Sequence, residues 1–243
     1  MDDLATQVSS SLDALTGEFN IIAHNLANVS TAGYKRRCSN FAEALGRNTM
    51  ETSTETGETE QSLMIFDFSQ GSLAQTSRTL DFALFGKGFF VIETPEGPLY
   101  TRHGIFQINH NGQLVDSEGR VIAGTAGPIL VPTDTSSSRI HVTSDGKIGV
   151  GDTFFGQFRI VDFPDNEDEL VPAGTGCFAG PPDVEPVNAD DAIVRQGYQE
   201  TSNVQLVNEL VNMIMVSRLY EANVKVVESK SDATSSLLSV GTG

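Results

Sequence analysis

From Leu4 to Val29 the apolar side chains Leu4, Val8, Leu12, Leu15, Phe19, Ile22, Leu26 and Val29 follow one another at intervals of three or four residues, which lines them along one face of a helix. Burial of such side chains yields about 1.5 to 3 kcal/mol each. Ordering the backbone that carries them costs about 1 to 2 kcal/mol per residue, and the stripe is far outnumbered by those residues. A helix of this kind frays alone and needs a partner. The other end of the chain offers one, because Leu206, Leu210, Met213, Val216, Tyr220, Val224 and Val227 repeat the spacing, and the periodicity runs on more weakly to Leu238. Ser202-Asn203-Val204-Gln205 ahead of it reads as a capping box, with Ser202 accepting from the amide of Gln205.

The first helix is expected to stop within Asn28-Val29-Ser30-Thr31-Ala32-Gly33, since Gly33 suits the left-handed turn after a helix. Lys35-Arg36-Arg37 follows and reads first as a solvated loop or a complement to the helix carbonyl end, second as a cationic contact for a neighbouring subunit. Phe41–Leu45 predicts a short helical turn, and Asn48–Ser62, rich in Thr, Glu, Ser and Gly, a linker or a loop that orders on assembly. From Leu63 the period changes. Short apolar runs alternate with turn signals at Pro95-Glu96-Gly97, Asn111-Gly112, Asp116–Gly119 and Asp145-Gly146, the pattern of a mainly β module. No helix fits between those turns, which excludes a parallel βαβ sheet. Pro164–Asp191 is loop-rich, acidic and proline-rich, and reads as the passage that returns the chain to its terminal helices.

The fold class expected is therefore α+β, with N- and C-terminal helices forming an α-helical coiled-coil domain around a mainly β inserted domain. The divisions are 1–33 for the first helix, 34–75 for a linker and connecting segment, 76–190 for a β-rich outer domain, and 191–243 for a return segment with the second helix.

Chemistry finds little support. The net charge is −17, from 32 acidic and 15 basic residues, which opposes binding to nucleic acid or anionic lipid through a broad basic face. No run approaches the length of a membrane span, and Met1-Asp2-Asp3 is acidic where a secretory signal is basic. His24, His103, His110 and His141 lack zinc-site spacing, Cys38 and Cys177 read as small, separate thiols, and no Gly-x-Ser-x-Gly elbow is present. Gly86-Lys87-Gly88 lacks the following helix of a phosphate loop and reads as a bulge or tight bend. No enzyme activity, catalytic residue, cofactor or metal is expected.

Taken together, Asn25, Leu26, Ala27, Asn28, Thr31, Gly33, Tyr34 and Lys35 resemble the Asn-Leu-Ala-Asn-x-x-Thr-x-Gly-Tyr/Phe-Lys signature of the bacterial flagellar rod and hook proteins. Phe85–Phe90, Tyr100–Phe106 and Asn111–Val115 resemble that family's β-domain motifs, and Gly197–Val204, Glu209–Ile214 and Arg218–Asn223 its carboxyl-terminal signature. His24, Cys38 and the acidity of Pro164–Asp191 depart from the family pattern. The resemblance implies a structural subunit of the basal-body rod that polymerises helically through its terminal helices into a hollow drive shaft, with Asn25 and Asn28 capping or crossing between helices at the turn. Val121–Pro132 and Ile160–Phe163 look more like proximal-rod subunits, the distal rod or another hook-basal body axial protein being the alternative. Implied partners are copies of itself, other rod and hook proteins, the surrounding ring proteins and the flagellar type III export apparatus. The implied location is the periplasmic rod, reached without a cleaved signal, and neither nucleic acid binding nor membrane insertion is implied. Two rivals are a secreted β-rich binding module, which requires ordered termini in a stable monomer, and a β-scaffold hydrolase, which requires a pocket of convergent polar groups.

Overall fold

The structure is a computed structural model that describes residues 2–38, 65–132 and 136–241, with side chains over 8–38, 65–132 and 136–230. The turn expected at Phe41–Leu45 and the linker expected over Asn48–Ser62 lie outside the described residues. Two compact units are present, one drawn from Met1–Ala27, Arg37–Ile65 and Gln205–Gly243, the other from Asn28–Arg36 and Phe66–Val204.

The first unit holds two helices, α1 (Asp2–Ala27) and α2 (Leu206–Gly241). Leu15 and Ile22 of α1 and Val216 of α2 form one buried cluster, with Leu26 and Met213 packed at its edge. The capping box is not made. Ser202 Oγ accepts from the amide of Val204 at 3.2 Å. The helix begins at Leu206, so Gln205 is the residue whose carbonyl accepts its first intrahelical bond, from Glu209 N at 3.1 Å. The hydroxyl is spent on a local turn before the helix starts.

The second unit is mainly β, and the β content was expected. A ten-stranded sheet runs in the order Val171–Pro172, Cys177–Ala179, Gly97–Thr101, Phe89–Thr94, Val121–Gly124, Leu114–Val115, Gln107–Ile108, with three further strands joined off this path. All its pairings are antiparallel. Phe89–Thr94 is the centre of it. Phe90 and Ile92 point into a cluster with Phe82, Phe106, Ile122 and Phe158, while Phe89 and Val91 point into another with Phe66, Tyr100, Phe163 and Phe178. Burial on both faces is why this strand opens as an unbroken apolar run, Phe-Phe-Val-Ile, where a half-exposed strand would alternate. Edge-on ring contacts order both clusters, among them Phe90–Phe106 with centroids 5.3 Å apart and Phe66–Phe178 at 5.1 Å.

Hairpin signals translate directly into turns. Gly146, at φ +81°, closes the hairpin between Ile140–Val142 and Lys147–Val150, and Pro95-Glu96-Gly97 joins Phe89–Thr94 to Gly97–Thr101. Two features go beyond the sequence reading. The strand Thr153–Gln157 goes unpredicted because its register shifts at Ile148/Gly149, and that bulge breaks the alternation. Pro164–Asp191 is more than a returning loop. It contributes Val171–Pro172, Cys177–Ala179 and Val187–Asn188, and Leu170, Cys177 and Phe178 are buried in the unit. Prolines and acids there mask an apolar triplet that pairs residue for residue with Leu99–Thr101. Strands Arg36–Cys38, Ile65–Asp67 and Leu73–Gln75 lie within the stretch read as a connecting segment.

Candidate functional site: an apolar helical surface and a buried signature junction

Among the described residues, the helical unit leaves many large apolar side chains exposed. Leu15 and Ile22 are 2% and 1% exposed, and Val216, Met213, Leu26 and Val224 are buried or half-buried. Val8 and Leu12 are half-buried as well, and Val29 sits in the turn after α1. Leu4 belongs to α1, but its side chain lies outside the described residues. By contrast Phe19, Leu206, Leu210, Tyr220 and Val227 are exposed, although they share the predicted stripes.

Residues outside those stripes matter more than the sequence suggested. Val207, Val211, Ile214, Met215, Leu219 and Val226 are also exposed, Val207 to 70%. At 100° per residue these positions spread around every side of α2 that α1 leaves uncovered. Between Leu206 and Tyr220 the polar residues are scattered and gather on no single face, and a helix segment without a polar face is suited to burial. The signal was present in the sequence as the absence of a polar face between Leu206 and Tyr220, and a search for one stripe passed over it.

The signature residues divide between the units. Asn25, fully buried on α1, clamps the backbone of Arg37, its Oδ1 accepting from Arg37 N and its Nδ2 donating to Arg37 O, both at 2.9 Å. The amide side chain thus imitates a strand neighbour. Asn28 instead closes the turn. Its carbonyl accepts from Thr31 N at 3.0 Å and its Oδ1 from Thr31 Oγ1 at 3.1 Å. Ala27 is the last residue of α1.

In the β unit, Gly33, Tyr34 and Lys35 enter a buried junction with the carboxyl-terminal signature. Gly33 has φ +67°, and a Cβ there would lie 2.6 Å from His103 N, so neither the conformation nor the space admits another residue. Gly33 N donates to the carbonyl of Glu200 at 2.8 Å. Lys35 corrects the reading of its triplet as solvated. Its side chain and that of Glu200 are 1% and 0% exposed, and Lys35 Nζ donates to Glu200 Oε1 at 2.7 Å and to Ser69 O at 2.8 Å. Glu200 Oε1 also accepts from Gly71 N at 2.9 Å, while Arg102 Nη1 lies 3.6 Å from Glu200 Oε2. Arg36 N donates to Asn203 Oδ1 at 2.7 Å, and Asn203 Nδ2 to Asp67 O at 2.7 Å. Segments from both ends of the chain and from its middle are thereby fastened at one point.

Burial dominates the electrostatics there. It lowers the Lys35 ammonium and the Arg102 guanidinium from their ordinary values, against the attraction of Glu200. Burial also lowers the His103 imidazole, with Asp116 and Asp81 opposing. With the folded value below the unfolded one, stability is unaffected above about pH 7 and falls as pH drops through about 6.5, where the unfolded chain takes up the proton first. Between pH 7.5 and 5.5 the urea midpoint of His103→Gln should therefore fall less than that of the parent chain. An identical fall in both would exclude the histidine as the cause.

These features hold segments together. Among the described residues no group of three or more His, Cys, Asp or Glu is placed to hold a metal ion, and no described helix is long and apolar enough to cross a membrane. Cys177 is buried, receives a hydrogen bond from Arg120 Nη2 at 3.1 Å, and burial raises its thiol.

Known proteins resemble this chain over most of its length. Residues 83–150 match the flagellar hook protein FlgE/F/G D1 domain, and residues 195–240 match the flagellar basal body rod FlgEFG protein C-terminal region. The flagellar basal-body rod protein FlgG of Buchnera aphidicola subsp. Acyrthosiphon pisum is 35% identical over 90% of this chain and 92% of its own length. The chain belongs to the flagellar basal-body rod protein family. FlgG of Agrobacterium fabrum is 31% identical, over 93% of this rod protein and 95% of its own length. FlgF of Mesorhizobium japonicum is 30% identical, over 90% of this rod protein and 89% of its own length. The carboxyl-terminal match spans Arg195 to Glu200 and α2, and so takes in the acidic member of the buried junction.

Proposed function

We propose that this chain is a structural subunit of the bacterial flagellar basal-body rod, that it polymerises with copies of itself and with other rod and hook proteins, and that it is not an enzyme. The observation carrying this reading is the apolar surface that encircles α2 beyond its contact with α1. Repeating contact with several neighbours is the arrangement that covers every side of such a helix. Contacts of this kind that do not close on themselves build a tube. Within each subunit α1 and α2 pair as a coiled coil, and the stripes through Leu15, Ile22, Met213 and Val216 form its seam.

Frayed ends before assembly suit a subunit exported unfolded through the flagellum's own type III apparatus without a cleaved signal, the ordering penalty falling due only at the growing tip. The ring proteins around the rod are its outer neighbours. The passages Val121–Pro132 and Ile160–Phe163 favour the proximal rod. Basal bodies purified from a strain lacking the chain should carry a rod truncated near the membrane. A truncation farther out assigns the distal rod, and an intact rod contradicts the structural role.

A further inference from the structure

Two features of the β unit, which share no residue, are complementary in charge and in apolar character. One is a knob. Phe85 and Ile193 pair across neighbouring strands and are exposed, and the Arg195 guanidinium lies over the Phe85 ring at 5.3 Å and the Tyr198 ring at 5.9 Å. Arg195 has no ion-pair partner among the described residues, in a chain whose net charge is −17. Exposed arginine stacked on aromatic rings is the composition of an interface anchor.

The other is a cleft of about 1070 Å³, walled by Pro95, Pro98, Tyr100 and the prolines of Pro181–Pro186. Glu93, Glu96 and Glu185 stand around it, all exposed and none in an ion pair among the described residues. Its one cation, Arg120, is already engaged by Asp116 and Glu118. An apolar cleft with an unanswered acidic rim accepts an apolar knob that carries one unanswered cation.

We infer that the Phe85–Ile193–Arg195 knob of one copy seats in the Pro95–Pro186 cleft of a second copy, with Arg195 facing the Glu93, Glu96 and Glu185 carboxylates. The two surfaces share no residue. Such an interface is heterologous. Each copy offers a knob to the next and a cleft to the last, so the contact propagates without closing. This inference rests on the rod-subunit reading and gives the β unit its own part in the polymer, apart from the helices.

The test uses the full chain, expressed in a strain lacking it, with incorporation read from purified basal bodies. Arg195→Glu should lower incorporation by at least about tenfold, the loss expected of a removed interface anchor. Adding Glu185→Arg or Glu93→Arg to the same chain should restore it to within about twofold. Normal incorporation of Arg195→Glu overturns the contact, and so does a loss that neither reversal repairs. Phe85→benzoylphenylalanine, irradiated in assembled rods, should give an adduct between two copies that maps to residues 93–98 or 179–186. Adducts confined to other sites, or to a different protein, overturn it also. Leu210→Asp is the control: if it blocks incorporation while Arg195→Glu does not, only this contact falls, and if both incorporate normally the rod-subunit reading falls.

Discussion

Leu210→Asp leaves the free chain as stable as before and abolishes its incorporation into rods. Leu210 is 43% exposed, and changes at such surface positions stay within about 0.5 kcal/mol of neutral. The same carboxylate enclosed by apolar neighbours in a polymer wall has lost its water with nothing to replace it, a penalty of several kcal/mol. A loss of about 3 kcal/mol lowers an association constant by more than about a hundredfold. Leu15→Asp reaches the same end by another route. It places the charge inside the Leu15–Ile22–Val216 cluster and so removes the contact between α1 and α2 that assembly requires. Both variants should keep the near-ultraviolet signature of the β unit, whose clusters they do not touch. A complemented strain that swims with either change contradicts the account.

Glu200→Ala should unfold the β unit at markedly lower denaturant. Among the described residues Glu200 is the one carboxylate that both Lys35 and Arg102 pair with, and its removal strands two buried cations and the Gly71 amide. Breaking a buried pair in this way costs about 3 to 5 kcal/mol, a large part of the roughly 5 to 15 kcal/mol by which an ordinary domain is stable. Lys35→Met is the milder companion, because it takes away one of the two cations and leaves Arg102 to face the carboxylate. The unfolding free energy from urea titration, followed through the tyrosines, measures both. A shift below about 1 kcal/mol for Glu200→Ala contradicts a fastening role for the junction.

The junction also marks where reading along the chain runs out. Periodicity located α1 and α2, because a helical face is written in residues three and four apart. Turn chemistry located the hairpins at Gly97 and Gly146, because a positive φ is a local demand. Lys35 was misread as solvated. Its neighbours in sequence are basic and polar, and the carboxylate that admits it to the interior is 165 residues away. Nothing local distinguishes a lysine that will find such a partner from one that will not. Phe178 was lost among prolines and acids for the same reason, its partners Phe66, Phe68 and Phe89 being supplied by other segments. The exposed apolar sides of α2 were legible and were passed over, since a pattern sought as one stripe hides a helix that has no polar side.

Amide hydrogen exchange on the dilute free chain and on assembled rods tests the central claim most directly, because the claim concerns where the two helices obtain their protection. In the free chain, amides of α1 and α2 should exchange at least about tenfold faster than those of Phe89–Thr94, and in rods they should slow to match that strand. Helices already as protected as Phe89–Thr94 in the dilute chain, with no further slowing on assembly, would contradict it.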